Sequence, residues 1–311
     1  MDGTMTRSYS TIEVPVAGGS LRVGVWDADV PDAPTAVLIH GVTASHLAWQ
    51  FVADALPGVR LIAPDLRGRG RSNQLLGTAG MRVHAADLAA VYAHLDLAPS
   101  LVVGHSMGGF VAVVFAHLHP SLVTRLVLVD GGLPLAAPEG LTPEELVAAI
   151  LGPTAARLSM RFDDLDSYLD LWRSHPAFTD DWTPQLESYL AYDLVPDGTA
   201  FRPATTYETT LDDTVDLNTG EALQESLADL THPAVLVTVP RGLQNEEPGL
   251  YPPEHLENVL ARHNNLEHRR WDDLNHYTVV MSERGAARVA DLITSELTAG
   301  ALIGSEPSAD R

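Results

Sequence analysis

Five short runs rich in β-branched residues recur along the chain: TAVLI (35–39), VRLIAP (59–64), SLVVG (100–104), RLVLVD (125–130) and AVLVTV (234–239). Near-continuous apolar strands of this kind suit a parallel sheet buried on both faces. The stretches SHLAWQFVADAL (45–56), MRVHAADLAAVYAHL (81–95) and GGFVAVVFAHL (108–118) carry apolar residues at helical spacing. This alternation predicts an α/β fold with a mostly parallel, doubly wound sheet and helices on both sides. Two earlier runs, STIEVPVAG and LRVGVWDAD, alternate with period two and predict a leading antiparallel hairpin.

The strand rhythm stops between about residues 133 and 230. That stretch has Pro-rich punctuation and amphipathic segments such as EELVAAIL and FDDLDSYLDLWRSH. It reads as a helical insertion that divides a core of residues 1–132 and 231–300. It holds nine of the 19 aromatics, and 19 acidic residues against four Arg. A last short strand near LEHRRW (266–271) and a closing helix, GAARVADLITSEL (285–297), complete the core. The tail, 301–311, is expected to fray.

Composition removes several chemistries. The chain has no Cys, which excludes disulfides, thiolate metal sites and cysteine nucleophiles. All 19 basic residues are Arg, so Schiff-base chemistry and a P-loop lysine are excluded as well. A net charge of −22 opposes nucleic acid and anionic membranes as partners. The start, MDGTMTRSYSTIEV, lacks an apolar signal-like run, and no apolar stretch approaches the roughly 20 residues of a membrane helix. A cytoplasmic protein acting on a small molecule is the expectation, and nothing in the sequence sets an oligomeric state.

Within LVVGHSMGGFVAV (101–113), Gly104, Ser106 and Gly108 form a G-x-S-x-G pattern. A chain of this length has roughly a one-in-ten chance of such a match at random, so context must decide. Ser106 falls between a predicted buried strand and a Gly-rich helix start. A nucleophile elbow requires that context, a sharp turn that lifts the Ser hydroxyl above the sheet. The helix N-terminus would then offer N–H groups and a positive dipole end to a developing oxyanion.

Four motifs in order, HG (40–41), DLRGRGRS (65–72), GHSMGG (104–109) and NHYTVV (275–280), resemble those of the α/β-hydrolase superfamily. The resemblance covers roughly residues 10–297, with the insertion matching the family's variable cap. It implies a Ser–His–acid triad, a two-amide oxyanion hole and a cap over the substrate. Members that cleave epoxides or carbon–halogen bonds carry Asp at the nucleophile position, where this chain has Ser106. His276, in a loop between the last strand and last helix, is the implied base, and the backbone N–H groups of Val42 and Met107 are the implied oxyanion donors. The commonest family position for the acid is the loop after AVLVTV, which reads PRGLQNEEPGLYPPEH and contains no Asp. Glu246 and Glu247 are the local candidates. Asp130, at the tip of RLVLVD, is the other and is favoured as a short acid on a rigid strand end.

His105 reads as a packing neighbour of the elbow. His117 and His119, two apart, do not share a helix face and do not suggest a metal site. The three Arg of DLRGRGRS read as solvated residues of a structural turn. No metal or cofactor is expected. Trp172, Phe178, Trp182 and Tyr277 are candidates for an apolar, aromatic substrate pocket. The expected activity is hydrolysis of an ester or lactone of a neutral, hydrophobic compound. C–C bond hydrolysis of a diketone-like substrate, amide hydrolysis, perhydrolysis and a non-catalytic binding protein remain as alternatives.

Overall fold

The five apolar runs form the middle of one eight-stranded sheet. The computed structural model describes residues 8–75, 79–138, 140–263 and 266–304. In the sheet, β1 (Tyr9–Val16) and β2 (Gly19–Trp26) form the leading hairpin, followed by β3 (Thr35–Ile39), β4 (Arg60–Pro64), β5 (Ser100–His105) and β6 (Val123–Val129). Outside it, β7 (Leu194–Asp197) and β8 (Ala200–Pro203) make a separate pair, and β9 (Ala234–Thr238) and β10 (Leu266–Arg270) return to the main sheet. The order across the large sheet is β1-β2-β4-β3-β5-β6-β9-β10. The β1–β2 and β2–β4 pairs are antiparallel and all others are parallel.

Two helical groups cover the sheet. Helices α1 (Gln50–Ala55), α11 (Thr278–Met281) and α12 (Glu283–Gly304) pack on one another, as do α2 (Met81–His94), α3 (Met107–Leu118) and α9 (Glu221–Ala228). Both α3 and α12 rest on β5 and β6, which explains why those strands are apolar on both faces. The chain runs from β3 to β4 on one side and then to β5 on the other. The carboxyl ends of β3 and β5 therefore flank the topological switch point, where open α/β sheets bind ligands.

Between β6 and β9 lie α4 (Pro143–Leu151), α5 (Pro153–Arg157), α6 (Leu165–Arg173), α7 (Pro184–Asp193) and α8 (Tyr207–Thr219), then α9. Capping boxes at Thr142–Glu145 and Asp164–Ser167 start α4 and α6 by satisfying orphan N–H groups. Two features depart from the sequence reading. The insertion is not purely helical: β7 and β8 form an antiparallel hairpin whose Gly198 turns at a φ of 65°. Moreover α9, inside the predicted insertion, packs on α3 in the helical layer of the sheet, with Leu223 and Leu227 buried. The remaining helix, α10 (Pro253–Leu260), precedes β10. The tail expected to fray from residue 301 continues α12 to Gly304, and 305–311 lie outside the described residues.

No helix among the described residues is long and apolar enough to cross a membrane. The charge of −22 makes the folded state repel itself through solvent. Raising NaCl from about 10 mM to about 1 M shortens the screening length from about 30 Å to about 3 Å. We expect Tm to rise by several degrees over that range. A thermal melt followed by circular dichroism checks this, and a flat or falling Tm contradicts it.

Candidate active site

Strand β5 ends at His105 and α3 begins at Met107, leaving Ser106 alone to make the turn. Its backbone adopts φ 54° and ψ −126°, a conformation costly for a residue with a side chain. Asp130, just past β6, is similarly held at φ 46°. The Ser106 N–H donates to the Val129 carbonyl (2.9 Å), and the Asp130 N–H to the Val237 carbonyl (2.7 Å). Both strained residues are thus fixed by the sheet's own ladder. The elbow leaves no room at Gly108, where a Cβ would lie 2.1 Å from the Ile39 carbonyl oxygen. Gly41 is nearly as confined: a Cβ there would stand 3.1 Å from the Ser106 Cβ. The Gly41–Val42 segment after β3 therefore passes directly beside the serine.

His276 is carried by the loop between β10 and α11. Its N–H donates to the Arg241 carbonyl (2.9 Å), and Asn275 anchors the loop. The Asn275 Oδ1 accepts from the N–H groups of Tyr277 (3.0 Å) and Thr278 (2.9 Å), while Nδ2 donates to the Ala177 carbonyl (2.9 Å). The His276 Nδ1 lies 2.7 Å from the Asp130 Oδ2, with both side chains buried. A carboxylate can only accept, so Nδ1 carries the proton and Nε2 is left with its lone pair. The other carboxylate oxygen, Oδ1, receives a long bond from the Val239 N–H (3.4 Å).

The structure separates the competing acids. Glu246 and Glu247 are exposed, and Glu246 turns back onto its own loop to accept from the Gln244 N–H at 2.6 Å. Asp130 alone of the three meets His276. His105 does more than pack: its Nε2 donates to the His276 carbonyl (2.8 Å), and the two rings lie 4.8 Å apart between centroids. Burial, and then His276, push its pKa well below the usual imidazole value, so it is neutral. His40 is neutral as well, lowered to about 3 chiefly by burial. Its Nε2 accepts from the Leu66 N–H (2.9 Å), which leaves Nδ1 to donate to the Gly41 carbonyl (2.8 Å).

Ser106, His276, Val42 and Met107 line one cavity with residues from the insertion, among them Trp172, Phe178, Leu190 and Leu217. The cavity is small, with a volume of about 50 Å³. Tyr277 also lines it, whereas Trp182 does not. Trp182 instead donates from Nε1 to Glu187 (3.0 Å) and lies under the Arg173 guanidinium. Among the described lining residues none is Arg. The one carboxylate beyond the site, Asp193, is paired with the buried Arg157 at 2.5 Å and accepts from the Tyr168 hydroxyl. The walls are therefore apolar and close to neutral. No three His, Asp or Glu among the described residues are grouped to hold a metal.

The motif DLRGRGRS also departs from expectation. Its first two arginines are buried rather than solvated: Arg67 forks onto Asp87 (2.8 and 3.0 Å), and Arg69 is fully enclosed. Arg71 stacks on the Tyr192 ring of α7, 4.3 Å from its centroid. Asp65 accepts from the Tyr192 hydroxyl (2.6 Å) and from His46 Nδ1 (2.7 Å), which ties this turn to the insertion.

A family model described as the alpha/beta hydrolase fold matches residues 34–183. The chain has the α/β-hydrolase fold. It is similar to Lipase LipV of Mycobacterium tuberculosis, 39% identical over 122 residues, which is 39% of this chain and 45% of that protein. It is also similar to a soluble epoxide hydrolase of a Corynebacterium species, 39% identical over 95 residues, or 30% of this chain and 33% of the relative. The chain thus spans less than half the length of these two relatives. Among solved structures, E-2-(acetamidomethylene)succinate hydrolase superposes with a TM-score of 0.76 at 18% identity, over 94% of this chain and 100% of the other. That likeness shows the fold alone.

Proposed function

We propose that the protein is a serine hydrolase that cleaves an ester or lactone of a small, neutral, hydrophobic compound. The observation that carries this reading is the His276–Asp130 hydrogen bond, whose histidine lines the same cavity as a serine on a strained elbow. In this reading Ser106 Oγ attacks the carbonyl carbon while His276 Nε2 takes its proton, and Asp130 fixes the tautomer and stabilises the imidazolium. The N–H groups of Val42 and Met107 stabilise the tetrahedral oxyanion. His276 returns the proton to the leaving alkoxide, and water then releases the acyl group by the same steps.

The insertion, α4 to α8 with its hairpin, serves as a cap that excludes water from the reaction. The near-neutral walls support an uncharged substrate, because an anionic one would lose its hydration without gaining a cation. The narrow cavity supports a short acyl group. Titration with a fluorophosphonate is expected to label one serine, Ser106, with stoichiometric loss of activity. p-Nitrophenyl acetate or butyrate should be turned over at least tenfold faster, in kcat/KM, than the octanoate or the anionic hemisuccinate. Folded protein that neither labels nor turns over esters would instead be a binding protein.

A further inference from the structure

Arg69 is a fully buried guanidinium in a turn, and every one of its nitrogens is engaged. Its Nε donates to the Val42 carbonyl (2.9 Å), Nη1 donates to the Arg67 carbonyl (2.9 Å), and Nη2 lies 3.9 Å from the Met107 sulfur. Val42 and Met107 come from different strand ends, and what they share is their place beside Ser106. Arg69 is in turn held by Asp213 of α8, whose Oδ2 lies 2.5 Å from Nη1 with both side chains fully buried. Asp213 also receives His84 Nε2 (3.0 Å) and the Gly80 N–H (2.6 Å), and the neighbouring Asp216 receives the Met81 N–H (2.7 Å). Helix α8 itself contributes Thr214 and Leu217 to the cavity wall.

We propose that Arg69 is a positioning residue: braced by Asp213, it holds the Val42 and Met107 segments so that their amides keep the geometry the oxyanion needs. The proposal rests on the serine hydrolase reading above. Pinning the Val42 carbonyl restricts rotation about that residue, so its N–H keeps its direction during turnover. Desolvating a guanidinium is expensive, and a buried pair that only filled space could be exchanged for apolar groups at little cost. Here the fork has a geometric task that an apolar residue cannot perform and Lys can perform only in part. Because the brace comes from α8, seating the insertion and aligning the oxyanion donors become one event.

The test uses R69M/D213N, which removes both charges together, with D213N and R69K as milder variants. Each is compared with wild type by kcat and KM on p-nitrophenyl butyrate, per site titrated with fluorophosphonate. Inhibition by a butylboronic acid, whose tetrahedral serine adduct places an oxygen in the oxyanion site, is measured in parallel. R69M/D213N should lose roughly ten- to a hundredfold in kcat with KM changed by less than about twofold, and boronate affinity should fall in proportion. D213N should move both quantities in the same direction by less, and R69K should recover part of the loss. If R69M/D213N does not fold, D213N and R69K carry the same two readouts. A kcat per titrated site within twofold of wild type overturns the proposal, as does a fall in kcat with unchanged boronate affinity. These results are distinct from failure of the underlying reading, in which wild type would not label or Ser106→Ala would remain active.

Discussion

Replacing Ser106 with alanine is expected to lower ester turnover by about a millionfold, the scale on which removing a serine nucleophile acts. Residual catalysis would then come from bound water polarised by the oxyanion donors. The change deletes one hydroxyl from a partly exposed position, leaves the strained backbone at φ 54° in place and creates no sizeable void. Stability should therefore hold within about 1 kcal/mol of wild type. Fluorophosphonate labelling should disappear completely, because the proposed mechanism assigns the alkoxide to Ser106. Turnover of p-nitrophenyl butyrate, corrected for background hydrolysis, is the deciding measurement. An alanine variant within tenfold of wild type would remove Ser106 from the chemistry.

The parts of this arrangement legible in the sequence are those encoded locally. Strand β3 spans the apolar run TAVLI, and β5 and α3 fall within a residue of their expected ends, since strand, elbow and helix are written in one continuous stretch. Strand β6 starts two residues earlier than the apolar run, because Val123 pairs with Ser100 in spite of the polar Thr124 and Arg125 that follow. The β7–β8 hairpin is not legible because its short strands are only partly buried and lie among amphipathic helices, although Asp197–Gly198 is a turn signal. What was not legible depends on long-range contacts. The sequence favours Asp130 over the two glutamates only from its place on a strand end; the contact that separates them, Glu246 turned back onto the Gln244 N–H, depends on how the loop after β9 folds. Trp182 is an aromatic of the kind that lines pockets, but its indole N–H is held by Glu187 away from the cavity lining. Arg69 and Asp213 each resemble surface charges in sequence; only the fold, which encloses both, shows that they are paired. A charge pattern can say that a loop is polar, but not that its counter-ions arrive from another helix.

Asp130→Asn should leave the fold intact and lower kcat by roughly 10⁴-fold, the scale seen when the acid of a serine triad becomes an amide. The carboxylate now accepts twice, from the His276 Nδ1–H at 2.7 Å and from the Val239 N–H at 3.4 Å. An amide of the same shape keeps one acceptor and gains a donor. If its oxygen stays on Val239, its NH₂ faces Nδ1, which must then accept, and the ring proton moves to Nε2 where the base is needed. If its oxygen turns to His276 instead, the tautomer survives, but no negative charge remains to stabilise imidazolium in this buried site. Either orientation costs catalysis, while the loss of one long hydrogen bond costs the fold little. Glu246→Gln and Glu247→Gln, changed side by side with it, should stay within about twofold of wild type, because both side chains are exposed and Glu246 bonds only within its loop. Fluorophosphonate labelling of Asp130→Asn should slow along with kcat, since both reactions require the same base. Near-normal labelling of Asp130→Asn together with a collapse in Glu246→Gln would transfer the acid's role to the loop after β9. The geometry argues against that result: a glutamate there would have to leave its own turn and displace a fully buried Asp130 from His276.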